Sequence, residues 1–275
     1  MTLRPIFSAA LLAAALIQAS PVRADQLADI KKKGEIVVGV LGSDEPNSFI
    51  DPKTRELVGY EVDLGTAIAQ RLGVKPVFKQ LAVAARIPEL TQGRVDLLAA
   101  SLTHTKERES QIDFSLTTFV TGQKVMVRAS SGVADVAGLA GKKVLTVKGG
   151  TQEPNVRKAV PSVDVVTFET TQQAFQALQQ GKGIGYVNDE ASLVNDYAKL
   201  GAAKKDYIIL PTSISVEPLA LGLKKGEKGL KTVVDGVLRD LEKSGDADKL
   251  FVKWYGPATK LQFDKRSFRI DSDKI

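Results

Sequence analysis

Apolar residues along this chain alternate between short continuous runs and stripes at helical spacing. Glu35-Ile36-Val37-Val38-Gly39-Val40 is a run of the first kind and predicts a buried strand. A turn-rich segment follows from Gly42 to Pro52. Leu64, Ile68 and Leu72 then recur at i, i+4 and i+8, with Gly73 as the stop, which predicts an amphipathic helix. Pro76-Val77-Phe78 reads as the next strand. Strand and helix taking turns in this way predict an α/β architecture with largely parallel pairing.

One device occurs twice. A helix over Ile87–Gln92 is followed by Gly93 and a strand over Val95–Ala100 that ends at Ser101. A helix around Gln172–Gln180 is followed by Gly181 and a strand near Ile184–Val187 that ends at Asn188-Asp189. Both helices close on a Gln-Gly-basic step, where glycine supplies a left-handed cap. Both strands deliver polar groups at their carboxyl ends, where open α/β sheets hold ligands. Two facing lobes built on this device would place Arg108 and Asp189 on opposite walls of a cleft.

Two further stretches complete the pattern. Lys143-Val144-Leu145-Thr146-Val147 is a strand pattern, and Lys148-Gly149-Gly150-Thr151 turns into a helix with Pro154 in its first turn. Exposed amides at such a start form an anion seat, although the spacing of a nucleotide-binding P-loop is absent. Leu230, Val233, Val234, Val237, Leu238 and Leu241 form one core-facing stripe, and Ser244-Gly245-Asp246 breaks it before a last helix that runs to Trp254-Tyr255-Gly256.

Composition narrows the class. Arg4, the apolar run Leu11–Ile17 and the small residues of Val22-Arg23-Ala24 predict a signal peptide over residues 1–24, cut between Ala24 and Asp25. The apolar run is too short for a membrane span, which needs roughly 20 residues. The 275 residues contain no Cys, which excludes disulfides, Cys-based zinc sites, thiol nucleophiles and a lipid-anchored cysteine. His104 is the single histidine, so no two-His metal motif is possible. The formal charge of +6 drops by two when Arg4 and Arg23 leave with the signal. The lysines are scattered among Asp and Glu, a solvated surface that mildly favours anionic solutes and not a nucleic-acid footprint.

The densest chemistry lies in Ser101–Ser115, SLTHTKERESQIDFS. Hydroxyls at Ser101 and Thr103 and a guanidinium at Arg108 follow a buried strand. Arginine's planar fork matches a carboxylate at two points, which lysine cannot do. Each group has a plainer reading: Arg108 paired with Glu107 or Glu109, Ser101 and Thr103 bonding their own backbone, Asp189 capping a helix that begins near Ala191.

This stretch, a strand followed by S-x-T-x-T-x-E-R and D-F-S, resembles the polar amino-acid-binding proteins of bacterial ABC importers, and the likeness extends over residues 35–256. The resemblance implies two lobes joined by a two-strand hinge, with crossings near Gly122–Val127 and Val216–Leu223. Lobe 1 would take residues 25–123 and 217–258, lobe 2 residues 124–216, and a tail 259–275. It implies that Arg108, Ser101, Thr103 and the Thr151 amide region answer an α-carboxylate while Asp189 answers an α-ammonium. Arg86-Ile87-Pro88 and Phe114-Ser115-Leu116-Thr117-Thr118-Phe119 resemble the glutamate/aspartate-binding branch. In that branch the residue at Arg86 helps hold a distal carboxylate. Leu41, Val83 and a residue near Thr171 stand where that branch carries further polar partners, and Asn47 stands where many relatives carry an aromatic.

The expectation is a periplasmic, monomeric receptor for an acidic or polar L-amino acid, glutamate or aspartate ahead of glutamine, that closes on its ligand and delivers it to an ABC permease. No cofactor, nucleotide or metal is expected on this chain. Two other functions share the scaffold: a dehydratase acting on a cyclic carboxylic acid, and a sensory module feeding a membrane receptor. The absence of G-x-S-x-G, of HExxH and of a histidine near a nucleophile argues against an enzyme.

Overall fold

The computed structural model describes residues 25–272; the expected signal peptide lies outside the described residues. The first lobe opens with α1 (Gln26–Lys33) and β1 (Glu35–Val40), then a small antiparallel sheet of β2 (Ser43–Asp44), β3 (Ser48–Ile50) and β4 (Leu57–Val58). Next come α2 (Tyr60–Leu72), β5 (Lys75–Gln80), α3 (Arg86–Thr91), β6 (Leu97–Leu98) and α4 (Lys106–Glu109). A long strand, β7 (Ile112–Arg128), leads to β8 (Lys143–Val147), α5 (Gln152–Ala159), β9 (Asp164–Phe168), α6 (Thr171–Gln179), β10 (Gly185–Asp189), α7 (Glu190–Lys199) and β11 (Tyr207–Ile209). The chain returns through β12 (Ser215–Lys224) to α8 (Lys228–Ser244) and α9 (Asp246–Tyr255).

The main sheet runs β5-β1-β6-β12-β7-β10-β8-β9, with β11 also on β7. Pairing is parallel within β5-β1-β6 and within β10-β8-β9, as the sequence predicts, and antiparallel wherever β7 or β12 takes part. Two lobes result, and β7 and β12 are the strands they share. β7 is bonded to β12 from Ile112 up to Gln123, where the register Gln123↔Ser215 meets Gln123↔Asp189 and the strand passes to β10.

Each lobe is apolar on both faces of its sheet, because helices cover both. Successive strand residues therefore belong to different cores. Leu97 packs under α2 and α8, whereas Leu98 packs against Leu90 and Phe114. In the second lobe Val125 and Val127 face one core and Met126 the other. All six stripe residues of α8 lie in or against the first of these cores.

The repeated helix caps have the same geometry. Gly93 (φ +69°) and Gly181 (φ +75°) are left-handed, and the next amides, of Arg94 and Lys182, donate five residues back to Glu89 and Ala177. The strand predicted over Val95–Ala100 is shorter, because after Leu98 the backbone leaves the ladder to serve the site. The carbonyl of Ala100 accepts from Arg86, the Ser101 amide donates to Glu61, and Ser101 sits at φ +48°. Leu261, Phe263, Phe268 and Ile270 of the tail pack onto the first lobe's core. Among the described residues no helix is long and apolar enough to cross a membrane.

Candidate functional site

A cavity lies between the lobes. Ser101, Thr103, Arg108, Thr151, Asp189 and Arg86 all line it, although they come from separate turns of both lobes. Leu41, Val83 and Thr171, read as replacements for polar partners, line it too. Asn47 does not; it is buried beneath, donating to Asp44 at 2.9 Å and accepting from the Tyr255 hydroxyl.

The two arginines are committed differently. A guanidinium has five N–H groups. Arg86 is buried and spends four of them on backbone carbonyls: Nε on Val83 at 2.8 Å, Nη1 on Ala100 and Ser101 at 2.8 Å each, and Nη2 on Gly149 at 3.2 Å. Burial and the neighbouring Arg108 charge depress its pKa to about 9. Arg108 donates to Thr103 O at 2.8 Å and Gly149 O at 3.3 Å, leaving three N–H groups for a ligand. It pairs with neither Glu107 nor Glu109; Glu109 is taken by His104, whose ring stacks on Phe114 with centroids 4.2 Å apart.

The hydroxyls also have assigned directions. Thr151 donates to Glu217 at 2.7 Å and accepts from Gln123 Nε2 at 2.8 Å, so its proton is not offered to the cavity. Its place ahead of the first turn of α5 leaves the amides of that turn without intrahelical partners. Ser101 donates to Asp44 Oδ2 at 2.5 Å, which leaves its oxygen an acceptor. Thr103 Oγ1 lies 3.4 Å from Thr151 Oγ1. Glu217 also accepts from Asn155, which reaches Gln123 in turn. Both strands joining the lobes therefore support the threonine at the site.

The carboxylates carry the opposite charge. Asp189 is the N-cap residue of α7, yet its side chain makes no capping bond, and Oδ1 is buried without a partner. Burial raises its pKa to about 7, with Glu217 and Asp44 adding to the rise. Glu61, on the first turn of α2, accepts from the Ser101 amide at 2.7 Å and is pushed up to about 8, mainly by burial. Asp44, Glu61, Gln123, Gln152, Ser192 and Glu217 had no signal in the sequence reading. Buried charged and amide side chains are uncommon, but nothing in one chain's pattern says which polar residues are buried. Among the described residues no group of three or more acids or histidines is arranged to hold a metal ion.

This architecture has known counterparts. An ABC transporter glutamine-binding protein, GlnH, of Bacillus subtilis is 32% identical over 234 residues, covering 84% of both chains. The L-glutamate/L-aspartate-binding protein of Pseudomonas aeruginosa is 29% identical, covering 93% of this chain and 89% of its own. A solved ancestral arginine-binding protein bound to arginine superimposes with a TM-score of 0.75 at 33% identity, covering 81% of this chain and 99% of that one. Residues 36–257 match a whole family across both lobes and the cavity between them, and the chain belongs to the bacterial extracellular solute-binding proteins, family 3.

Proposed function

We propose that this protein captures a polar L-amino acid between its lobes, outside the cytoplasm, and presents it to the permease of an ABC importer. The observation that carries this reading is a pair of unanswered opposite charges from opposing lobes. Arg108 keeps three N–H groups, and Asp189 keeps a buried oxygen without a donor, on the walls of one cavity. A buried charge without a partner is costly, so the cavity is matched to a guest that brings both a carboxylate and an ammonium.

In this reading Arg108 takes the α-carboxylate at two points, helped by Thr103 and by the open amides where Thr151 leads into α5. Asp189 takes the α-ammonium, and the Ser101 oxygen, whose O–H is hydrogen-bonded to Asp44, accepts a second ammonium N–H. Arg86 has one N–H left that a ligand's side chain could accept. The relatives named for glutamine and for glutamate/aspartate support a polar side chain. The ligand would bind one lobe first, and its extra contacts with the other lobe populate the closed form. The lobes would divide at residues 123/124 and 216/217, the signal would be cut after Ala24, and the receptor would act as a monomer.

A melting-temperature screen against the twenty amino acids tests this. A ligand at 100 times its dissociation constant adds about 2.7 kcal/mol to the fold, and it should be recovered unchanged. A screen with no upward shift removes the binding reading, and a new product peak would make the protein an enzyme.

A further inference from the structure

Asp44 is a cavity residue that the ligand scheme above leaves unused. It ends β2 in the first lobe and is 8% exposed. Its Oδ2 accepts from Ser101 Oγ at 2.5 Å and from Asn47 Nδ2 at 2.9 Å, and its Oδ1 accepts from Ser192 Oγ of α7, in the opposite lobe, at 3.0 Å. All three donors are neutral. Among the described residues neither Asp44 nor Asp189 is in an ion pair, and Arg86, which lines the same cavity, faces backbone carbonyls instead.

A second acceptor is also unanswered. Gln152 lines the cavity at 8% exposure, its Nε2 donates to Asn188 Oδ1 at 3.3 Å, and its Oε1 has no partner. The unspent polar capacity of the walls is thus lopsided. Away from Arg108 and the open amides of α5, the one charged donor left for a guest is an N–H of Arg86, with a second amide N–H each on Gln152 and Asn188. Against these stand the Asp189 and Gln152 oxygens, the Ser101 oxygen and the Asp44 charge. An α-ammonium has three N–H groups and can satisfy only some of these. A distal carboxylate would bring more acceptors and a third negative charge beside Asp44 and Asp189. Removing a charge of that sign from water beside others of its sign is unfavourable in a buried site.

Resting on the amino-acid-binding reading, we propose that Asp44 is a specificity-determining residue: it makes the cavity take an amino acid whose side chain ends in an N–H donor, a carboxamide or a cation, and turn away one ending in a carboxylate. Arg86 then serves to brace the backbone of the site and not to receive an acidic side chain.

Titration calorimetry of the mature protein with L-glutamine, L-arginine, L-glutamate and L-aspartate tests this, alongside Asp44→Asn, which keeps the size and removes the charge. In the wild type, glutamine or arginine should bind at least tenfold tighter than glutamate and aspartate. The tighter of the two identifies the donor as carboxamide or cation. Asp44→Asn should narrow the gap to glutamate at least tenfold. Glutamate or aspartate binding tightest in the wild type would overturn the proposal and leave amino-acid capture standing. A variant that weakens all four ligands equally would do the same. Should Asp44→Asn fail to fold, the wild-type ranking decides alone. Binding of no amino acid would remove the receptor reading itself.

Discussion

Gly149 of the second lobe rests against Ala84 of the first so closely that a Cβ at 149 would lie 2.6 Å from the Ala84 Cα. Its carbonyl is also the shared acceptor for Arg86 and Arg108. The lobes therefore meet at a point where backbone approaches backbone and only glycine fits, at φ +80°.

Gly149→Ala should hold the lobes apart. The left-handed backbone costs about 1 kcal/mol in either state, but the clash exists only on closure. The expected result is a loss of at least tenfold in ligand affinity, with a small change in the melting temperature of the unliganded protein. Small-angle scattering should show a larger radius for the ligand-saturated variant than for the ligand-saturated wild type. Equal radii and equal affinities would show that closure tolerates a side chain there.

Arg108→Ala should cost on the order of 2–5 kcal/mol of binding, because truncation leaves a buried carboxylate without its partner. Arg108→Lys should recover only part of the loss, since an ammonium cannot reproduce the fork. Arg86→Ala belongs to a different class: four backbone carbonyls each lose a donor, of which only Gly149 keeps another in Arg108, so the melting temperature should fall together with affinity. A variant at 108 with wild-type affinity would remove that residue from the ligand's carboxylate.

Binding should depend on pH through Asp189. With the lobes in contact its pKa is raised from 3.8 to about 7, chiefly by burial, and the ammonium needs the ionised form. Affinity should be fully developed above about pH 7 and fall below it by up to about tenfold per pH unit. The apparent binding enthalpy at pH 6 should vary with the buffer's ionisation heat, because a proton leaves. A flat affinity between pH 5 and 8 contradicts this. Stability of the empty protein runs the other way. A carboxyl with a raised folded pKa contributes stability that is present below its unfolded value and lost as pH rises through the folded one. For Asp189 and Glu61 the window runs from about 4 to about 8. Glu61→Gln should flatten the upper part of that profile.

The tail is part of the first lobe's stability. Arg266, 6% exposed at its side chain, grips Glu242 with two bonds of 2.5 and 2.7 Å, reaches Asp248 at 2.9 Å and lies 5.6 Å from the Phe268 ring centroid. Removing one member of a buried pair costs about 3–5 kcal/mol. Arg266→Ala should therefore lower the melting temperature by many degrees while leaving the ligand ranking unchanged. Retained stability would mean that water replaces the guanidinium freely.

The chain's own order of residues determined the elements and much of the site. Period-two and period-3.6 patterns specify the strands and helices because one face of each must be buried, and the Gln-Gly-basic steps specify both left-handed caps. That Ser101, Thr103, Arg108, Thr151 and Asp189 line one cavity follows from their places at strand ends and helix starts, which the chain's pattern and its family resemblance both mark. Tertiary structure alone decided what those groups are free to do. Whether Arg86 faces a ligand or backbone carbonyls depends on where residues 83, 100, 101 and 149 fall in space. Asp44, Gln152 and Glu217 become part of the site only when two lobes meet across strands that are far apart in the chain. Hydrogen-bond saturation and burial are properties of three-dimensional neighbourhoods, and no local pattern encodes them.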